Sequence, residues 1–172
     1  MNDPINQRPA AAILKAIALG GLAAGVLDAV DALVAFKLVL GFDPTPIYQF
    51  VASGALGPSA FSGGAATALL GLGFHFLIAF SAAAAFVLAS LRLPVLRQRP
   101  ALAGGAFGVS VYAFMNYLVL PLSLVGPASF SLPLFVNGVF GHALFVGVPI
   151  AYAARACLGH GARSFRLAET PS

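Results

Sequence analysis

"GLAAGVLDAVDALVAF", residues Gly21–Phe36, is apolar except for Asp28 and Asp31. The apolar run around it extends from about Ala12 to Leu40, longer than the roughly 20 residues a helix needs to cross a hydrocarbon core. A basic start at Arg8 gives it the look of a secretory signal. It outlasts a cleaved apolar region of roughly 7–15 residues, so the expectation is an uncleaved first span. An ionisable side chain facing lipid costs about 2.5–3.5 kcal/mol on insertion scales. Two in one span therefore need a reason.

Composition decides the class. Hydrophobic residues make up 60% of the 172 and charged residues 8%, against roughly 25% charged in a soluble domain. Such a chain cannot cover a water-facing surface, so its main partner is the lipid bilayer. The net charge of +4 is scattered over helix ends, which excludes a nucleic-acid footprint. The single cysteine, Cys157, excludes an internal disulfide and a CxxC metal site.

Four windows qualify as spans, at about 12–40, 65–91, 100–120 and 134–158. "DPTP" at Asp43–Pro46 stops the first, and Thr45 offers an N-cap with Pro46 opening a short helix over about 46–56. Pro94 ends the second span region and Pro100 opens the third. The expected fold is an all-α membrane protein, one domain over 1–172. Its four-helix transmembrane bundle has a short interfacial or re-entrant helix in the first outer loop. Arg8, Lys15, Arg92, Arg97, Arg99, Arg155, Arg163 and Arg166 fall on one side, and only Lys37 on the other. Eight against one places both termini in the cytoplasm. Tyr48, Tyr117 and Tyr152 are the expected interface anchors.

The basic residues serve as a depth ruler. Counted from Lys15, Arg92, Arg99 and Arg155, the residues Asp28, Asp31, His75, Tyr112, Asn116, Asn137 and His142 lie 13 to 18 positions away. At about 1.5 Å per residue that is one layer, roughly 20–27 Å deep, in the outer half of the bilayer. Small residues run along the same helix faces. They are Gly21 and Gly25 below Asp28, Gly71 before His75, Gly105 and Gly108 before Tyr112 and Asn116, and Gly138 and Gly141 beside His142. Such stripes let helices approach closely. A faint repeat relates Gly21-x-x-x-Gly25-Val26 to Gly104-x-x-x-Gly108-Val109, and "GFHFLIAF" to "FGHALFVG". Parallel repeats of this kind occur in transporters.

Several readings of the layer stand side by side. Polar side chains act as interhelical glue worth about 0.6 kcal/mol each. Two nearby carboxylates, however, repel, and beside imidazoles they favour a shared proton. That points to a centre handling protons, cations or a small solute, with Asp28 and Asp31 as acceptors and His75 and His142 as relays. Ser81 would extend a wet route beyond His75. Four spans are few for a transporter, so this reading carries a homo-oligomer. Asp28, Asp31, His75 and His142 also form a ligand set for a divalent metal, and two histidines could hold haem. No HxxxH or ExxH spacing accompanies them. A non-catalytic subunit of a larger membrane partner is another reading. Lipid chemistry with a histidine base lacks a GxSxG nucleophile, so no catalytic residue is assigned and no cofactor is expected.

"AGVLD", "ASGALGPSAFSGG", "GLGFHF", "VYAFMNYLVLPLS" and "GHALFVGVPIA" resemble segments of small, uncharacterised four-span bacterial inner-membrane proteins over most of the chain. More distantly, "GLAAGV", the surroundings of His75 and "LPLFVNGVFGH" are similar to the YagU family, which is loosely linked to acid resistance. The similarity includes His75 and His142 and leaves out Asp28 and Asp31. It implies a bacterial inner-membrane location.

Overall fold

The computed structural model describes residues 4–126 and 130–159, with side chains from Ala10 onward. Arg163 and Arg166, counted above for orientation, lie outside the described residues, as does the side chain of Arg8. Within them the chain is helical and has no strand. Six helices follow in order: α1 (Pro4–Leu40), α2 (Pro44–Leu56), α3 (Gly64–Arg92), α4 (Val95–Gln98), α5 (Pro100–Leu122) and α6 (Leu132–Leu158). Four are long and apolar enough to cross a membrane: Ala10–Leu40 within α1, together with α3, α5 and α6. Each expected span lies within a few residues of one of them.

Local chemistry sets the ends. Gly41 closes α1 with φ 72°, the left-handed conformation that glycine adopts without a Cβ penalty. α2 begins two residues earlier than the sequence implies. Asp43, not Thr45, occupies the N-cap position, and Pro44, not Pro46, takes the first helical position. Asp43 makes no side-chain cap bond there. Its carboxylate instead takes a 2.8 Å salt bridge from Lys37 across the turn. α2 then runs into a 3-10 turn, Gly57–Ser62, that leads to α3. Pro100 opens α5, as expected.

α1 packs on both α3 and α6, α5 packs on α6, and α2 lies along α3. Backbones meet closely at two seams. A Cβ on Gly71 would collide with the Tyr48 carbonyl of α2, and a Cβ on Gly104, Gly108 or Gly147 would collide with backbone of the facing helix, α5 or α6. Gly105 has open space beside it, so it does not belong to the packing stripe expected for it. Gly104 and Gly108 form that seam.

Two segments widen into π-helix, Met115–Val119 in α5 and His142–Gly147 in α6. Each ends two residues before a proline, Pro121 or Pro149. A proline inside a helix removes one backbone bond and pushes the carbonyl four residues back out of line. A turn with one extra residue accommodates both effects, and such turns recur at functional sites.

The apolar core occupies the half of the bundle nearer the arginine end. Ala16, Ala24, Ala83, Phe86, Val87, Val146, Ile150, Ala151 and Ala154 are 0–5% exposed there. Phe107 of α5 meets Phe86 with ring centroids 5.1 Å apart. Arg97 on α4 is buried and donates from Nη1 to the carbonyls of Leu158 and Gly159, at 3.0 and 3.4 Å. It thereby caps the carbonyl end of α6, where a cation is favoured.

Candidate functional site

Asp28 stands between two imidazoles. His75 of α3 places Nδ1 3.9 Å from Asp28 Oδ2, and His142 of α6 places Nδ1 3.7 Å from Asp28 Oδ1. All three side chains are between 15% and 23% exposed. Gly25 makes this possible on the α1 side. It lacks a side chain where the Phe76 ring packs, and Gly21 likewise accepts Phe80. The similar glycine pairs of α1 and α5 thus do different work, one receiving rings and the other backbone.

Backbone carbonyls fix the tautomers. His75 Nε2 lies 2.8 Å from the Gly25 carbonyl oxygen. A carbonyl only accepts, so Nε2 carries hydrogen and donates. In neutral His75 the lone pair on Nδ1 therefore faces the Asp28 carboxylate. His142 Nδ1 donates to the Gly138 carbonyl, one turn back, at 2.9 Å. A carboxylate facing a lone pair is repulsive, and one added proton on either atom turns the contact attractive.

The other predicted residues divide into two groups. Tyr112 belongs to the centre through His142, with rings edge to face at 5.4 Å. Gly138 lies under the Tyr112 ring, where a Cβ would strike it. Asp31 and Asn137 form a separate pair. Asn137 Nδ2 donates to Asp31 Oδ2 at 2.9 Å, and Gly141 gives that carboxylate room. Asn116 joins neither. It sits in the π turn of α5 and donates to its own helix at the Tyr112 carbonyl, 3.0 Å away. Ser81, expected to extend a wet route, is exposed and donates to the Leu77 carbonyl.

Tyr48 was expected as an interface anchor. It turns inward and meets His75 edge to face at 6.5 Å, whereas Tyr117 and Tyr152 are exposed. Burial lifts the Tyr48 phenol above its ordinary value, and the charge of Asp28 adds to the effect. No spacing within α2 signals this: the buried Ile47 and Gln49 lie about 100° to either side of Tyr48 round the helix, and it is Gln49 that ties α2 to Gly64 and Thr67 at the start of α3.

The donor set fits a metal poorly. His75 Nε2 and His142 Nδ1 are committed to carbonyls, so Asp28 faces a single available imidazole nitrogen. Among the described residues no group of three or more His, Cys, Asp or Glu side chains is placed to hold a metal ion. Haem fits no better, because the carboxylate occupies the space between the two rings.

Over the described residues, fold and site define a helical chain with four membrane-length helices and a carboxylate between two histidines. No family model matches the chain, and no curated protein or solved structure matches it.

Proposed function

We propose that this chain is a multi-pass protein of the bacterial inner membrane, with both termini cytoplasmic, whose Asp28–His75–His142 centre takes up and releases a proton. The observation that carries this reading is the tautomer of His75. Its Nε2 hydrogen is spent on Gly25, so the His75–Asp28 contact lacks one hydrogen that a single proton supplies. An Asp and a His facing each other in apolar surroundings form a typical intramembrane proton site. The YagU-like features around His75 and His142 point the same way through their link with acid resistance.

The test is infrared difference titration of the full-length protein in liposomes. The carboxyl band assigned to Asp28, as the component of the difference spectrum lost in Asp28→Asn, is expected to respond to pH and to move in His75→Gln. A pH-difference spectrum that is the same in the unsubstituted protein, Asp28→Asn and His75→Gln, all folded, overturns the reading.

A second reading holds for Asp31. Its 2.9 Å bond from Asn137 is the contact that an interhelical staple makes. Asp31 on this reading fixes the register of α1 against α6 and takes no part in proton exchange.

A further inference from the structure

We infer that the Asp28 centre exchanges its proton with one side of the membrane only, the side that carries α2, and that the apolar core seals it from the arginine end. The inference rests on the proton reading above and adds a direction to it.

The seal is continuous across three helices. Ala24 lies one turn from Asp28 on α1, Val146 one turn from His142 on α6, and Ala83 two turns from His75 on α3. From these the buried set continues to Ala16, Val87 and Ala154. Val146 to Ala154 alone covers eight residues, about 12 Å along the axis. Ile13, Ile17, Leu96, Phe107 and Val111 close around it. A proton needs a chain of donors and acceptors, and this stretch has none. The serine hydroxyls on this side of His75 and Tyr112 are Ser81, Ser90 and Ser110. Each donates to a carbonyl of its own helix, and Ser81 and Ser110 are exposed on the outer surface of the bundle.

The centre itself is less closed: its three side chains are each partly exposed, in contrast to the core. The titratable and charged groups that face Asp28 are His75 from α3, His142 from α6, Asp31 on its own helix, Tyr48 from α2 and, through His142, Tyr112 from α5. Tyr48 is the member that comes from outside the four long helices, and its ring stands against His75. α2 is held there at both ends of its contact. Gln49 bonds to the start of α3, and the Gly54 carbonyl accepts a 3.0 Å bond from Leu124 N–H in the loop after α5. The proton passes from hydronium beside Tyr48 to His75 Nδ1 or Asp28 Oδ2, leaving water behind. No second reactant is needed.

Single-cysteine variants in a Cys157→Ser full-length chain test the direction. Right-side-out and inside-out vesicles are treated with a small, membrane-impermeant methanethiosulfonate. Asp28→Cys and Tyr48→Cys are expected to react at least tenfold faster from the α2 face, and Val146→Cys from neither face. Reaction of Asp28→Cys from both faces, from the arginine face alone or from neither overturns the inference, as does reaction of Val146→Cys at a comparable rate. Where Asp28→Cys fails to fold, proton flux through liposomes holding the unsubstituted protein decides: dissipation of a pH gradient above the protein-free rate overturns the seal. Failure of the proton reading shows separately, as a titration indifferent to Asp28→Asn.

Discussion

Asn137 donates a 2.9 Å hydrogen bond to Asp31 across 106 positions of sequence, joining the first long helix to the last. The bond satisfies a carboxylate that would otherwise face apolar surroundings alone. A double-mutant cycle with Asp31→Ala and Asn137→Ala should return a coupling of about 0.6 kcal/mol, and no more than about 1.7 kcal/mol. Asp31→Asn should be nearly silent, since an amide also accepts from Asn137. Unfolding in mixed detergent measures both.

His75 and Asp28 should behave as members of one unit. His75→Leu strands the carboxylate between apolar rings and one imidazole. At a pH where the pair carries its proton, the expected loss is about 3 kcal/mol, the scale for removing one partner of a buried pair; where His75 is neutral and its lone pair faces the carboxylate, the loss should be smaller. Asp28→Asn in the same chain should recover part of it, because a neutral amide needs no counter-group. Equal losses in the single and double variants, read by the same unfolding assay, would contradict a coupled pair.

The glycines sort by what faces them. Gly108→Ala and Gly147→Ala push a methyl group into backbone of the facing helix, which cannot rotate aside. Each should cost about 1–3 kcal/mol, the usual range for overpacking. Gly105→Ala, one residue from the seam, should cost nothing, since its neighbourhood is open. Thermal unfolding of the three variants in one detergent gives the comparison.

Two groups outside the membrane-length segments give pH dependences of opposite sense. The Lys37 ammonium donates to Asp43 and holds its carboxyl below 3.8. A lowered folded value means that the contribution is present above the unfolded value and fades as pH falls through the folded one. Lys37→Met should move the Asp43 titration, followed by carbonyl NMR, upward. Both groups are largely exposed, so the effect on stability is small. Tyr48 is raised above 10.0. Its contribution is present below the unfolded value and fades as pH rises through the folded one. Phenolate absorbance of Tyr48, identified by its loss in Tyr48→Phe, should appear later than that of free tyrosine.

The four long helices were legible because hydropathy and proline positions are local signals. That Asp28, His75 and His142 meet was legible too, since rise per residue converts counting along separate helices into height. Neighbouring choices were not. Gly104 and Gly105 are alike in composition, and only the rotation of α5 shows which one meets α6. Gly147 carries no such signal, because it falls beyond the polar layer and no polar neighbour marks its face. Residue type alone marks Tyr48 as an anchor, while the close seam at Gly71 holds α2 against α3 and the ring stands against His75. Asn116 and Asn137 lie at similar depth, yet the π turn sends one to its own backbone and leaves the other facing Asp31.

The π turn at His142–Gly147 divides α6 into two half-helices of different rotational phase. One residue is worth about 100° of rotation. An uninterrupted helix that presented Gly138 and His142 inward would continue through Phe145, Pro149 and Tyr152. Buried instead are Val146, Ile150 and Ala154, each one or two places later, while Tyr152 is half-exposed. In an alignment this turn would count as a one-residue insertion. It lets substitutions on the Gly138–His142 half retune the carboxylate's neighbours without rotating the half that seals the bundle.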